Sequence, residues 1–175
     1  MKKYLYLLLA LGLITACNFK KDKYDPYKIN GKEKKMESKS SFEVNFKKTE
    51  SNLKTIHIKL NNNGYDAIFD TGSSGMLISP LELIELMKTH TISDNDYIGV
   101  DNGSIADGSE IKIPIYNIKR VTVVDNNGKE HVLPDIQAAV VDNIAANILI
   151  GSSVIDNLAK KSYTVDLSKK VIRFE

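Results

Sequence analysis

One short stretch of the sequence, residues 67–79 (AIFDTGSSGMLIS), places a carboxylate where it could do chemistry. Asp70 follows two apolar residues, and Thr71 and Gly72 come directly after it. Gly72 allows the chain to turn sharply and can direct its N–H group at the carboxylate. Ser73 could hydrogen-bond the outer oxygen of Asp70, which would favour the ionised form and an acidic optimum. Asp70 is therefore either an ordinary turn residue or a carboxylate around which the fold is built.

Other candidate sites are weaker. The serine pairs at 73–74 and 152–153 lack the Gly-x-Ser-x-Gly pattern of a nucleophile elbow. The acidic run at 94–96 resembles the start of a calcium loop, but Ile98 and Ile105 occupy ligand positions, so a turn is the better interpretation. The histidines show no metal-ligand spacing. We therefore predict no metal site and no cofactor.

The apolar residues around the Asp70 stretch mostly alternate with polar ones, which predicts β-strands. The clearest alternating sets are Phe42, Val44 and Phe46, then Ile56, Ile58 and Leu60, then Ile111, Ile113 and Ile115. Turn sequences that can supply the positive φ of tight hairpins recur at residues 62–64, 102–103, 107–108 and 126–128. A closing hairpin is predicted from residues 163–167 and 170–174. This pattern indicates an all-β sandwich or barrel.

Only two stretches have helical patterns. Residues 80–88 follow Ser79, a good N-cap, with Pro80 at the first helical position and an acidic residue in the first turn. Residues 152–160 are the second predicted helix, which Ser152 could cap and whose apolar residues would share one face.

Four features in order resemble a single-lobed, retropepsin-like aspartic protease over about residues 42–175. They are two apolar residues with Asp-Thr-Gly-Ser at 68–73, Ala-Asp-Gly at 106–108, an apolar-apolar-Gly at 149–151 followed by the helix, and a Tyr-x-x-Asp-x-x-x-Lys-x-Ile pattern at 163–172. Asp-Thr-Gly alone recurs by chance, whereas four elements in the right order are much more specific. The resemblance implies an all-β fold, a closed six-stranded-type barrel with one or two short helices.

The resemblance also implies an aspartic endopeptidase that acts on peptides or proteins without a cofactor. Its catalytic residues would be Asp70, Thr71 and Gly72, with Ser73 in support. Such enzymes use two carboxylates that share one proton, yet the chain has a single Asp-Thr-Gly and is too short for two lobes. The second carboxylate is therefore expected from Asp70 of another copy across a twofold axis, which predicts a homodimer.

The region 96–115 is predicted to form a flap hairpin, beneath which an extended substrate would lie. The separation between the Asp-Thr-Gly turn and this region is long for the family, so residues 102–103 compete as the tip of the flap. The predicted flap and substrate-binding residues are Ala106, Asp107 and Gly108.

The N-terminal residues 1–17 have the pattern of a lipoprotein signal peptide. Two lysines precede an apolar stretch, residues 4–13, that is too short to span a bilayer. Residues 14–17 resemble a bacterial lipobox, so Cys17, the single cysteine of the chain, is the predicted lipidation site. Asn18 is not the Asp associated with inner-membrane retention. We therefore expect a lipid anchor in a bacterial envelope, in the outer membrane rather than the inner one. The domain would then lie in the periplasm or at the cell surface.

Charge is divided unevenly along the chain. Residues 18–41 carry eight Lys against four acidic residues and show no apolar periodicity, which predicts a flexible tether. Residues 42–175, the predicted protease domain, carry 14 basic and 18 acidic side chains. The absence of a basic patch in that domain gives no reason to expect nucleic acid as a partner.

A second class of function stays open from the sequence. A retropepsin-like domain could bind extended peptides without cleaving them, or serve as a structural lipoprotein of the envelope. The intact Asp-Thr-Gly favours the enzyme, because a pure binder has no need of two apposed carboxylates.

Overall fold

The computed structural model describes residues 41–104 and 110–175; the predicted signal peptide, Cys17 and the tether up to residue 40 lie outside them. The strands are β1 (Phe42–Asn45), β2 (Lys47–Lys48), β3 (Lys54–Leu60), β4 (Asn63–Phe69), β5 (Met76–Ile78), β6 (Tyr97–Ser104), β7 (Glu110–Val124), β8 (Glu130–Val140), β9 (Leu149–Ile150), β10 (Tyr163–Asp166) and β11 (Val171–Phe174). The helices are α1 (Pro80–Lys88) and α2 (Ser152–Leu158), with a 3-10 turn at Asp94–Asp96. The described part is mostly β, as predicted, and neither of its helices is long and apolar enough to cross a membrane.

The larger sheet has the strand order β2-β3-β4-β9-β5-β8-β7-β6, and β3 also pairs with β7. This additional pairing sets Ile58 opposite Val123 and Leu60 opposite Val121. Two neighbouring pairs are parallel, β4 with β9 and β5 with β8. Because β9 lies between β4 and β5, it separates the strand that enters the Asp-Thr-Gly turn from the strand that follows it.

The core follows the predicted alternation along most of the chain. Ile56, Ile58 and Leu60 of β3 are almost completely buried. The pattern changes at the end of β4, where residues 67–69 are buried one after another. Both faces of the sheet are therefore covered at the point where the chain approaches Asp70.

The smaller sheet has the order β1-β11-β10, which confirms the predicted closing hairpin and adds β1 to it. Phe42 pairs with Phe174, and both rings are buried. On the outer face, Glu43 lies opposite Arg173, and a charged hydrogen bond of 2.6 Å joins Oε1 to Nη2. This sheet brings the beginning and the end of the described chain together.

Helix α1 begins and ends as predicted, because its signals are local. The Ser79 Oγ accepts the N–H of Leu81 at 3.1 Å, and the Glu82 carboxylate accepts the N–H of Ser79 at 2.8 Å. Pro80 occupies the first turn, and Leu86 is buried against the core. These contacts form a capping box, in which two N–H groups at the helix start are satisfied reciprocally.

Helix α2 begins at Ser152, as predicted, but its N-cap and its last residue differ from the prediction. Gly151, not Ser152, is the N-cap, because the backbone before the helix is pressed against the turn that follows Asp70. The helix ends at Leu158, since the Lys161 N–H already donates to the Glu175 carbonyl at 2.7 Å. The apolar residues predicted to share one face are all buried: Val154, Ile155 and Leu158.

The hairpin turns depend on tertiary contacts as well as on glycine. Gly128 has a φ of 80° in the β7–β8 turn, as predicted. In the β3–β4 turn the positive φ values fall on Asn61 and Asn62, whereas Gly64 lies within β4. The Asn61 side chain stabilises this arrangement, because its Oδ1 accepts the N–H of Arg120 at 2.9 Å.

Candidate active site

Asp70 is the first residue after β4, and backbone hydrogen bonds fix that end of the strand to the neighbouring segment. The N–H of Ile68 donates to the Ile148 carbonyl at 2.8 Å, and the N–H of Asp70 donates to the Ile150 carbonyl at 3.1 Å. The Asp70 side chain is half-buried. The carboxylate therefore stands at the boundary between core and solvent, on a firmly held backbone.

The turn after Asp70 directs an N–H group at the carboxylate. The Gly72 N–H donates to Asp70 Oδ1 at 2.9 Å. A Cβ at Gly72 would lie 3.2 Å from that same oxygen, so a larger residue would press on the carboxylate. Thr71 and Gly72 are both exposed. One carboxylate oxygen is thus oriented by the backbone, on a turn that faces solvent.

Ser73 does not make the contact that the sequence predicted. Its Oγ donates to the Gly75 carbonyl at 3.1 Å, and no hydrogen bond to Asp70 is found among the described residues. The chain reverses between Ser73 and Gly75 to enter β5, and this reversal brings the Gly75 carbonyl within reach of the hydroxyl. Ser73 therefore stabilises the turn and not the carboxylate directly.

The start of α2 packs directly behind the Asp-Thr-Gly turn. A Cβ at Gly151 would lie 2.5 Å from the Ser73 carbonyl oxygen and closer still to that of Gly75, so only glycine fits. The Ser152 N–H donates to the Ser73 carbonyl at 2.8 Å, and its Oγ lies 3.4 Å from the Thr71 carbonyl oxygen. The apolar-apolar-Gly element and the Asp70 turn, distant in sequence, therefore form one unit.

A series of aromatic rings supports the strand that carries the Asp-Thr-Gly turn. Phe69 meets Tyr163 and Phe174 edge-on, with ring centroids 5.5 and 6.3 Å apart. Phe174 stacks on Phe42 at 5.0 Å, and Phe42 stacks on His131 at 3.5 Å. The smaller sheet thus packs against the residue that immediately precedes the candidate carboxylate.

A buried pair, Asp125 and His131, lies at the other end of this series, and no sequence motif predicts a role for it. His131 Nε2 is 2.9 Å from Asp125 Oδ2, and the N–H groups of Asn127 and Lys129 donate to Oδ1 at 2.8 and 2.9 Å. The hydrogen bond from His131 lowers the pKa of Asp125, against the opposing effect of burial. The available sequence signal was an Asp and a His six residues apart across an Asn-Gly turn.

The predicted flap hairpin corresponds to β6 and β7. The two strands pair up to Ser104 and Glu110, so residues 105–109 connect them. The competing tip at residues 102–103 is wrong, because both residues belong to β6 and pair with β7. The connection lies outside the described residues and contains the predicted flap residues Ala106, Asp107 and Gly108.

The acidic run at residues 94–96 forms a turn, as predicted. The buried Asp96 carboxylate accepts the N–H of Ser93 at 2.9 Å and contacts Lys119 Nζ at 3.0 Å. Burial opposes ionisation, but these two contacts together lower the pKa of Asp96. Within residues 41–104 and 110–175, no group of three or more His, Cys, Asp or Glu side chains is placed to hold a metal ion.

A solved structure is similar to this chain in overall fold. The chain is similar in fold to a retropepsin-like aspartic protease from Rickettsia conorii. The two have a TM-score of 0.57 and 17% sequence identity, over 77% of this chain and 90% of the other. No family model and no curated protein matches the sequence. The likeness therefore shows a retropepsin-like fold, and any activity has to be argued from the Asp70 turn.

Proposed function

We propose that the chain is an aspartic endopeptidase and that Asp70 is its catalytic carboxylate. The observation that carries the proposal is the Asp70 turn: a half-buried carboxylate at the end of a core strand, oriented by the Gly72 N–H at 2.9 Å and open to solvent beside it. The similarity of fold to a retropepsin-like aspartic protease supports it. Thr71 and Gly72 complete the proposed catalytic motif.

The proposed fold includes a closed six-stranded barrel. The strand order β3-β4-β9-β5-β8-β7 and the additional pairing of β7 with β3 support this closure. Closure would fix the position of Asp70 from both sides, through β4 and through the parallel neighbour β9.

The second carboxylate of the proposed site is Asp70 of a second copy, related by a twofold axis. The single Asp-Thr-Gly of the chain supports this, as does the exposure of Thr71 and Gly72. Two negative charges about 3 Å apart would repel by roughly 5 kcal/mol at an effective dielectric of 20, so the pair would retain one proton near neutral pH. Activity would therefore require the homodimer.

In the proposed reaction the ionised carboxylate takes a proton from a water molecule, which attacks the scissile carbonyl. The protonated carboxylate donates a hydrogen bond to that carbonyl, and the two exchange roles as the amine leaves. The Thr71 hydroxyl would hold the two turns together, and Ser73 supports the turn through the Gly75 carbonyl. The flap at residues 106–108 would cover an extended peptide substrate.

The N-terminal segment is proposed to anchor the enzyme to a bacterial membrane through diacylglycerol on Cys17. The Lys-rich residues 18–41 would serve as the tether between the lipid and the domain. Two or three acyl chains give a stable anchor, because each buried CH₂ contributes about 0.8 kcal/mol. Labelling with radioactive palmitate tests this, and the label should be lost in Cys17→Ala.

The proposed activity is tested with the purified full chain, an unstructured protein substrate and two variants. The wild-type protein should be dimeric by light scattering and should cleave the substrate at acidic pH. Asp70→Asn should lose cleavage while it keeps its circular dichroism spectrum and its dimer mass. Asp66→Asn is the matched control, because it removes a half-exposed carboxylate from β4, the strand that leads into the Asp70 turn. Binding of the substrate without cleavage, equal in wild type and Asp70→Asn, would instead support a peptide-binding domain.

A further inference from the structure

The peptide group between Thr71 and Gly72 has a hydrogen-bond partner at each end. Its N–H, which belongs to Gly72, donates to Asp70 Oδ1 at 2.9 Å. Its C=O, which belongs to Thr71, accepts from Ser152 Oγ at 3.4 Å. Because a peptide group is planar and rigid, partners on its two sides fix the orientation of both ends together.

Ser152 is held in place by backbone contacts rather than by a long side chain. Its N–H donates to the Ser73 carbonyl at 2.8 Å, and Gly151 before it packs too closely against the same turn to accept a Cβ. The one remaining freedom of Ser152 is the rotation of its side chain about χ1. The backbone contacts therefore bring the hydroxyl within reach of the Thr71 carbonyl, and the χ1 rotamer in the structure completes the contact at 3.4 Å.

We propose that Ser152 is a positioning residue for Asp70 and acts through the Thr71–Gly72 peptide group. A donor at the carbonyl end polarises the amide and strengthens the N–H at the other end as a donor. That N–H stabilises the ionised carboxylate, which is the form that accepts a proton from water. The contact between Ser152 and Thr71 is seen in the structure. Its effect on catalysis rests on the proposed function.

Three variants separate this role from a general structural one. Ser152→Ala removes the hydroxyl, and Ser152→Thr keeps it on a residue that helices accommodate. Ser153→Ala is the matched control, because the Ser153 hydroxyl is buried in the same helix and has no hydrogen-bond partner among the described residues. Ser152→Cys replaces the hydroxyl by a weak donor and serves as a second test if Ser152→Ala does not fold.

The peptide group can be observed directly, because the sequence contains a single Thr-Gly pair. Threonine labelled with ¹³C at the carbonyl and glycine labelled with ¹⁵N leave one peak in an HNCO spectrum of the full chain. That peak reports the Thr71 carbonyl carbon and the Gly72 N–H together. In Ser152→Ala the resonances of the Thr71 carbonyl carbon and of the Gly72 amide proton should both shift upfield, because the hydrogen bond to the carbonyl is lost. In Ser152→Cys the upfield shift should be smaller. Ser152→Thr and Ser153→Ala should keep the wild-type position.

Peptide cleavage gives the second measurement. In Ser152→Ala, kcat should fall about three- to tenfold, the loss expected for one neutral hydrogen bond. KM should change by less than about twofold, because the contact acts on the carboxylate and not on substrate binding. Ser152→Thr should restore kcat, and Ser153→Ala should not lower it.

The outcomes of the two measurements are distinguishable. A peak that stays in place in Ser152→Ala, or in Ser152→Cys, overturns the positioning role whether or not the chain is an enzyme. A peak that moves while kcat is unchanged overturns the link between this contact and the carboxylate. A peak that moves in Ser152→Ala, together with a wild-type protein that cleaves no substrate, refutes the proposed function and leaves the contact established.

Discussion

Asp70 and Asp125 occupy similar turns at the ends of strands, but the groups around the two carboxylates differ. Each carboxylate directly follows a strand, β4 in the first case and β7 in the second. Each accepts the N–H of the residue two positions further along, at 2.9 Å from Gly72 and at 2.8 Å from Asn127. The backbone chemistry of the two turns is therefore alike.

The difference between the two lies in the remaining acceptor positions. Asp125 is buried and also receives hydrogen bonds from the Lys129 N–H and from His131 Nε2. Asp70 is half-buried, and Gly72 is its single side-chain hydrogen-bond donor among the described residues. A buried carboxylate that accepts three hydrogen bonds holds a fold together. A carboxylate with free positions at an open turn can still receive water or substrate.

The sharpest test of this comparison is the loss of activity in Asp70→Asn. Because proton transfer through the carboxylate would be removed, we expect the cleavage rate to fall by about 10³-fold or more. The free energy of unfolding should change by no more than about 0.5 kcal/mol, since the residue lies at a half-open turn. Initial rates and urea denaturation measure the two quantities. A large loss of stability would show that Asp70 is a structural carboxylate like Asp125.

The converse test is Asp125→Ala, which should act on stability. The variant leaves the buried His131 and two partly buried N–H groups without their acceptor, so we expect a loss of about 3 kcal/mol in the free energy of unfolding. Asp66→Ala, at a half-exposed position, is the control and should cost less than about 1 kcal/mol. A cost in Asp125→Ala no larger than the control would contradict the contrast between the two turns.

The pH dependence of stability sharpens the same contrast. The pKa of Asp125 is lower in the folded chain than its ordinary value of 3.8. Its stabilising contribution is therefore present above that value and is lost as the pH falls through the folded pKa. The difference in unfolding free energy between wild type and Asp125→Asn should shrink as the pH falls below about pH 4. A difference that grows in this acidic range would have the wrong sign.

The smallest effect is expected in Ser73→Ala. This variant tests whether the Ser73 hydroxyl hydrogen-bonds the Gly75 carbonyl or Asp70. Because Ser73 Oγ donates to the Gly75 carbonyl, Ser73→Ala should cost about 0.5–1 kcal/mol in the free energy of unfolding. The acidic limb of the pH–rate profile should not move. If this limb shifts upward in Ser73→Ala, the hydroxyl stabilises the ionised Asp70 after all, as the sequence alone predicted.

Features that depend on neighbouring residues could be predicted from the sequence. Helix α1 is defined by Ser79, Pro80 and Glu82 within four positions, and the structure forms it with those contacts. The alternation in β3 likewise indicates one buried face. The four elements in order, from the Asp-Thr-Gly turn to the Tyr-x-x-Asp-x-x-x-Lys-x-Ile pattern, were enough to indicate a retropepsin-like fold.

Features that depend on the approach of distant backbone could not be predicted. The N-cap of α2 moved to Gly151 because the turn after Asp70 packs against that residue. Asn61 adopts a positive φ because Arg120 lies close enough to donate to its side chain. The buried pair of Asp125 and His131 depends on β1, because Phe42 stacks on the His131 ring. In each case the deciding group lies far away in the sequence, so residue type and local spacing do not indicate it.

The aromatic series that supports Phe69 has a consequence for the order in which the chain matures. Glu43 and Arg173, which join β1 to β11, are 130 residues apart. Closing a loop of that length costs about 4 kcal/mol in chain entropy before any contact is gained. Phe174 is synthesised long after Phe69, because it lies far downstream in the sequence. A nascent chain therefore holds the Asp70 strand without its final packing until β11 has been made, and the turn reaches its final environment only after β11 has packed against that strand.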